Sequence, residues 1–314
     1  MRIALAGAGA FGLKHLDALS RIDGVEIAAI ASRTIEQARE VANKYGAALA
    51  TTDLDDVLLM SDVDAVILCT PTQMHAAQSI AALRAGKHVQ VEIPLADSWR
   101  DAAAVAEVAR ATRLCCMVGH TRRFNPSHQW LHQRIVAGEL SIEHMDVQTF
   151  FFRRSNINAL GQARSWVDNL LWHHAAHTID LFAYQSGERI VSAHVMAGPP
   201  HRELKIPMDM SIQMKSESGK LCTLALSFNN DGPLGTFFRY ICDNGTYIAR
   251  YDDLFTGRDV VVDVTQVAVS MDGIELQDRE FVGAISEGRQ PNSSIESVLD
   301  CYRILGQLQE QLDS

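Results

Sequence analysis

The hexapeptide Gly7-Ala8-Gly9-Ala10-Phe11-Gly12 directly follows the apolar run Ile3 to Ala6 and opens a helical pattern. In a strand–turn–helix unit each glycine has a mechanical task. The first makes a tight turn, the second lets backbone approach a pyrophosphate, and the third lets the helix pack closely on the strand. The helix N-terminus adds unpaired N–H groups and a partial positive charge. A glycine-rich turn alone is a weak signal, but this one begins a series. Short apolar runs at Val25 to Ala31, Ala47 to Ala50, Ala65 to Cys69, His88 to Val91 and Cys115 to Val118 alternate with helical stretches. That rhythm predicts an α/β unit over residues 1–119, a doubly wound parallel sheet that holds a dinucleotide. Thr34 with Gln37 forms a capping box, Gly46 and Gly86 stand where glycine ends a helix, and Thr72 is placed to cap another.

Beyond His120 the pattern changes. A helix from Ser127 to Val136, closed by Gly138, leads to Met145 to Phe152 and then to a His-rich helix near 170–185. Runs at Ile190 to Met196, Met208 to Lys215, Leu221 to Phe228, Thr236 to Cys242, Thr246 to Arg250 and Val260 to Val264 predict strands. Turn signals fall at Ser218-Gly219, Asn244-Gly245 and Asp272-Gly273. Helices near 276–287 and 295–312 finish the chain. Residues 120–314 thus read as a second, α+β domain on a largely antiparallel open sheet, and 314 residues suit two domains.

Charge narrows the partners. With 38 acids against 28 bases the formal charge is −10, which disfavours nucleic-acid backbones and anionic membrane surfaces. Six cysteines without a CxxC pair fit a reducing compartment, and Met1 runs almost directly into the first strand with no signal-peptide pattern. No apolar stretch reaches the roughly 18 residues of a membrane span. The expected location is the cytoplasm.

Cofactor choice turns on the end of the second strand, about twenty residues beyond Gly12, where an NAD site carries Asp or Glu for the ribose hydroxyls. Here the chain reads Ser32-Arg33-Thr34. No carboxylate repels a 2′-phosphate, and a guanidinium with two hydroxyls is available to bind one. NADP is therefore expected, with NAD used less well; the alternative is that Arg33 is a solvated helix-start residue. Thr70-Pro71 and Glu92-Ile93-Pro94 follow the fourth and fifth strands at the carboxyl edge of the sheet, where ligands of such folds collect. His75, one turn on, reads equally as a cofactor contact or a packing histidine.

The glycine motif, Thr70-Pro71 followed by His75, Glu92-x-Pro94, Arg123-Phe124-x-Pro126, and His177 followed by Ile179-Asp180 resemble the glucose-fructose oxidoreductase/inositol dehydrogenase/MocA superfamily over nearly the whole chain. The resemblance implies a Rossmann domain, a second domain whose sheet mediates oligomerisation, here a homodimer, and hydride transfer between a nicotinamide and a carbinol or hemiacetal carbon. It also implies cofactor contacts from Gly7, Gly9, Ala10, Phe11, Gly12, Ser32, Arg33, Thr34, Thr70, Pro71, His75, Glu92 and Ile93. Two positions depart from the pattern. Ile93 stands where sugar-oxidising members carry a catalytic Lys, and His173 stands where they carry an acidic residue four before the active-site histidine. The strings Val91 to Ser98, Gly119 to Pro126 and Trp172 to His177 are similar to one branch. Its reaction, in protocatechuate 4,5-cleavage, is NADP-dependent oxidation of the cyclic hemiacetal of 4-carboxy-2-hydroxymuconate-6-semialdehyde to 2-pyrone-4,6-dicarboxylate.

That chemistry needs a base for the hemiacetal hydroxyl, and histidine titrates near neutrality. His173 and His177, four apart, share one face of a helix, while His174 points about 100° away from His173. By family position His177 matches the active-site histidine. One of the pair is expected to act as base and the other to orient the substrate oxygen, His177 preferred as base. A packing role for these histidines is one alternative. Half of a zinc site is another, but no third ligand stands at a telling spacing and no metal is expected. The dicarboxylate calls for arginine, which binds carboxylates at two points. Arginine outnumbers lysine 22 to 6, and between His120 and Arg164 six arginines face three acids. Arg122, Arg123 and Arg164 are the first candidates for substrate contact, followed by Arg153, Arg154 and His174. Alternatives to this reading are a sugar or polyol dehydrogenase of the same superfamily and a non-catalytic nucleotide-sensing regulator.

Overall fold

The computed structural model describes residues 1–157, 161, 163–164, 166–233 and 235–314. It divides into two compact units, one of Met1–Gly119 with Ile274–Leu299 and one of His120–Gly273 with Asp300–Ser314.

The first unit alternates β1 (Arg2–Ala6), α1 (Ala10–Leu19), β2 (Glu26–Ala31), α2 (Ile35–Tyr45), β3 (Leu49–Thr51), α3 (Leu54–Leu58), β4 (Ala65–Leu68), α4 (Thr72–Arg84), β5 (His88–Val91), α5 (Trp99–Thr112) and β6 (Cys116–Val118). The strands form a parallel sheet in the order β3-β2-β1-β4-β5-β6. Ile3, Ala4, Ala28, Ile30, Val66, Ile67 and Val89 are buried, so the strands read as continuous apolar runs because both faces are covered. The order reverses between β1 and β4, and the crevice at their carboxyl ends is where such sheets take ligands. The Thr34 side chain accepts from the Gln37 N–H at 3.3 Å, and Gly46 closes α2 at φ 74°. The expected cap at Thr72 is not formed. Pro71 holds the cap position of α4, and the Thr72 hydroxyl turns to Asp97 at 3.5 Å.

Residues 274–299, grouped by sequence with the second domain, pack with the first. They belong to α8 (Gly273–Glu287) and the start of α9 (Ile295–Asp313). Asp278 bonds His15 and Gln90, Gln277 reaches Glu92, and the Ser293 hydroxyl donates to the Val118 carbonyl. The Asp272-Gly273 pair accordingly leads into a helix rather than turning a hairpin.

The second unit contains α6 (Pro126–Val136), β7 (Ile142–Phe150), α7 (Ala176–Ser186), β8 (Ile190–Ala197), β9 (Asp209–Ser216), β10 (Leu221–Ser227), β11 (Gly235–Cys242), β12 (Gly245–Arg250), β13 (Asp253–Thr256) and β14 (Val261–Val262). Its sheet runs β14-β13-β12-β11-β7-β10-β9-β8. Every pairing is antiparallel except β7 with β10. The short β13 had no expectation of its own. The strongest departure lies before α7, where Leu170–Ala175 forms a π-helical turn. The expected helix near 170–185 is therefore two different turns joined end to end.

Candidate active site

The first unit carries the glycine turn that opens α1. Gly7 has φ 99°, and a Cβ there would lie 2.3 Å from the Cys69 carbonyl oxygen, so the turn requires glycine. A Cβ at Gly12 would lie 2.1 Å from the Gly7 oxygen, which explains the close helix–strand contact. Gly9 is different: nothing lies within 4 Å of its added Cβ, and as the N-cap of α1 it offers no side-chain acceptor to the first turn. No acidic residue stands in the first turn of α1, which fits a pyrophosphate at this helix end. Phe11 is exposed and Lys14 lies over its ring at 5.0 Å. The Ser32 hydroxyl donates to Gln37 Oε1 at 2.8 Å. Arg33 is exposed and makes no ion pair or side-chain hydrogen bond among the described residues.

His75 is buried with Nδ1 at 2.8 Å from the Pro94 carbonyl and Nε2 at 2.8 Å from the Thr70 carbonyl. The ring sits between the two loops, its single N–H able to donate to one of the two carbonyls, and burial pushes its pKa down. Glu92 is tucked against Gly119, where a Cβ would meet its Oε1 at 2.3 Å, and accepts from Gln277 at 3.3 Å. Its other neighbour is His15 Nε2 at 3.2 Å, and the opposite ring nitrogen of His15 lies 2.8 Å from Asp278. Burial acts to lower the His15 pKa, but the Asp278 carboxylate holds it well above the ordinary value. Ile93 contributes no titratable group.

The second unit gathers the arginines and histidines around two carboxylates that sequence reasoning left without a role. Asp180 takes a two-point ion pair from Arg123, with contacts of 2.8 and 2.6 Å, both partners buried. Burial alone would raise the Asp180 pKa; Arg123 and His120 hold it down. Arg123, expected to meet a substrate carboxylate, has these donors committed. Its sequence neighbour Arg122 has no carboxylate within ion-pair distance among the described residues. It lies over Tyr251 at 4.8 Å, reaches Asn125 Oδ1 at 3.4 Å, and leaves a buried Nε without a partner.

Asp168 is the second hub. Arg153 Nη1 stands 2.6 Å from its Oδ2, close enough to pair but not aligned as a hydrogen bond, and Arg164 Nη1 donates to the same oxygen at 3.3 Å. His174 Nε2 lies 3.0 Å from Oδ1, with His173 Nδ1 at 3.9 Å. Burial pulls the Asp168 pKa upward, but His174, Arg153 and His173 hold it well below the usual carboxylate range. Arg154 points elsewhere, over Phe152 and onto the Arg153 and Phe228 carbonyls.

The histidines do not divide as an α-helix would divide them. In a π turn the i→i+5 bonds widen the coil, so each residue rotates by less than the roughly 100° of an α-helix. His173 stacks on Trp166 (4.7 Å, 11°) and its Nδ1 accepts the Asn169 N–H. His174 turns to Asp168. His177 stands edge-on to His120 at 6.4 Å with its buried Nδ1 unpartnered. Burial, with Arg122, His120 and His174 nearby, pushes the His177 pKa well below the ordinary value, so its ring is neutral. Among the described residues no group of three His, Cys, Asp or Glu is arranged to hold a metal.

Comparison with known proteins decides the family. Residues 1–120 match the model of the oxidoreductase family with an NAD-binding Rossmann fold, GFO/IDH/MocA, and residues 126–268 match that of bacterial oxidoreductase C-terminal domains. The chain is 71% identical over 313 residues, 100% of its length and 99% of the relative's, to the 4-carboxy-2-hydroxymuconate-6-semialdehyde dehydrogenase of Sphingobium sp. strain SYK-6. The chain belongs to the GFO/IDH/MocA oxidoreductase family. An inositol 2-dehydrogenase of Corynebacterium glutamicum is 26% identical over 73% of this chain and 67% of its own. The scyllo-inositol dehydrogenase structure from Lactobacillus casei shares the fold, with a TM-score of 0.81 at 19% identity, over 99% of this chain and 96% of that one. As a GFO/IDH/MocA member the protein is an oxidoreductase with a nicotinamide cofactor. Within that family frame, Asp168 and His15 are the residues that sequence reading passed over. Asp168 stands in an arginine-rich stretch, a signal that was there to be used. Nothing local marks His15, whose partner Asp278 is 263 residues away.

Proposed function

We propose that the protein oxidises the cyclic hemiacetal of 4-carboxy-2-hydroxymuconate-6-semialdehyde to 2-pyrone-4,6-dicarboxylate, with NADP as the preferred oxidant, in protocatechuate 4,5-cleavage. The observation that carries this reading is the 71% identity, over the whole chain, to the Sphingobium enzyme. When bound, the nicotinamide accepts the carbinol hydrogen as hydride. The protein's own residues bind, orient and take the proton. Gly7, Gly9, Ala10, Phe11 and Gly12 cradle the pyrophosphate, and Arg33, unpaired beside Ser32 and Thr34, meets the 2′-phosphate. Thr70, Pro71, Glu92 and Ile93 line the carboxyl edge of the sheet, with His75 holding two of those loops.

The dicarboxylate substrate is met by Arg122, whose guanidinium lacks a carboxylate partner, and by Arg153 and Arg164. Those two share the single charge of Asp168 and so retain one net positive charge. Ile93 cannot take a proton, so proton transfer falls to the histidine segment. His177, a neutral ring beside Arg122, stands at the substrate oxygen, with His173 one turn earlier on the same segment. The same reading makes the protein a cytoplasmic homodimer through the second unit's sheet, where Val191, Met196, Leu221 and Ile241 are exposed on strands. Among the described residues no helix is long and apolar enough to cross a membrane.

The test is direct. Purified protein given the semialdehyde is expected to produce the reduced-nicotinamide absorbance with a higher kcat/KM for NADP than for NAD. Absence of turnover with both cofactors removes the substrate assignment.

A further inference from the structure

We propose that the reaction's proton acceptor is Nδ1 of His174, and that Asp168 is the positioning residue that prepares it. This rests on the reaction proposed above. Asp168 Oδ1 lies 3.0 Å from His174 Nε2. An ionised carboxylate only accepts, so Nε2 carries a proton, and in the neutral ring Nδ1 holds the lone pair. Nδ1 makes no hydrogen bond among the described residues. The ring is held between Phe151 and Phe228, each with its centroid 5.2 Å away, and the side chain keeps 16% of its surface exposed. It is both fixed in direction and reachable.

The charges around each histidine separate their roles. His174 faces Asp168, with Arg153 and Arg164 on the far carboxylate oxygen, and His173 and His177 are the other titratable groups on its own segment, His173 with Nδ1 3.9 Å from the near oxygen. The two arginines keep Asp168 ionised, and Asp168 in turn stabilises the imidazolium formed when His174 accepts a proton, as the buried aspartate does in a hydrolytic triad. His177 has the opposite setting: it faces Arg122 and His120 with no carboxylate on its ring, so a positive charge there is opposed. It serves as a neutral group at the substrate oxygen. His173 already accepts the Asn169 N–H on Nδ1. His174 bonds Asp168 at 3.0 Å, whereas His173 Nδ1 stands 3.9 Å from the same oxygen and makes no hydrogen bond to it.

The step balances. The hemiacetal O–H proton moves to His174 Nδ1, the oxygen's electron pair closes the C=O bond of the lactone, and the C–H pair leaves as hydride to the nicotinamide. The imidazolium then returns its proton to solvent through its exposed edge.

Kinetics of the wild type, His174→Gln, Asp168→Asn and His177→Gln with the semialdehyde and NADP, followed across pH, test the assignment. His174→Gln is expected to lower kcat by about 100-fold or more with KM changed far less, and to abolish the acid limb of kcat/KM. Asp168→Asn is expected to lower kcat similarly, while nucleotide binding stays as in the wild type. His177→Gln is expected to retain the limb. A second measurement needs no turnover: NMR of the histidine rings is expected to find His174 protonated on Nε2 in the wild type and a mixture of tautomers in Asp168→Asn. A His174→Gln enzyme within threefold of wild-type kcat, or a ring protonated on Nδ1, overturns the dyad. A wild type inactive on the semialdehyde overturns the substrate reading instead, and the ring tautomer then decides the dyad alone.

Discussion

Arg122 and Arg123 are adjacent in sequence and opposite in use. Arg123 spends its donors on Asp180 inside the protein, and Arg122 keeps its charge without a carboxylate. Their equivalence in the sequence was unavoidable, because the partner that separates them is 57 residues away. Removing one member of a buried pair leaves an uncompensated charge, so Asp180→Asn is expected to cost about 3–5 kcal/mol in urea unfolding at neutral pH. The Asp180 pKa is lower folded than unfolded. Its contribution is therefore complete above the ordinary aspartate value of about 3.9 and lost as pH falls through the lower folded value, so the gap between wild type and variant is expected to close only in that acid range. The expectation for Arg33 rests on a position that the fold fixes relative to the glycine motif. Arg33→Ala is expected to raise Kd for NADP about tenfold or more in fluorescence titration while leaving NAD nearly unchanged. Equal effects on the two would remove the phosphate assignment.

Among the elements, those with local signals were read correctly and those set by distant partners were not. The α2 capping pair Thr34 and Gln37, its terminal Gly46 and the glycine turn before α1 are all written within a few residues. Gly7→Ala is expected to abolish dinucleotide binding measurably by calorimetry, since the new Cβ falls 2.3 Å from the Cys69 oxygen at φ 99°. The Thr72 cap failed because Pro71 already fixes the entry to α4 and Asp97 competes for the hydroxyl. The π turn at Leu170–Ala175 could not be read from periodicity, which counts apolar spacing and not hydrogen-bond register. At the candidate site the spacing paired His173 with His177, and the structure adds a carboxylate, Asp168, 3.0 Å from His174 and 3.9 Å from His173.

At the scale of the molecule, the parallel sheet and the mostly antiparallel sheet follow from the two styles of patterning on either side of residue 119, and the closing helices do not. Helix α8 carries no local mark of its destination; Asp278, buried against His15 and Gln90, gives it one. A fragment of residues 1–119 is therefore expected to lose cooperative thermal unfolding in calorimetry, whereas co-expression with a 274–299 peptide restores part of it. The chain passes between the two units after residues 119, 273 and 299, the last within a single continuous helix, α9. These units are consequently not beads that can be restrung. A hybrid of two relatives joined once at residue 119 would combine one parent's His15 and Glu92 with the other's Asp278 and Gln277. Only a three-junction exchange carries each buried network over intact, so recombination between such genes is filtered by where α8 and α9 find their partners.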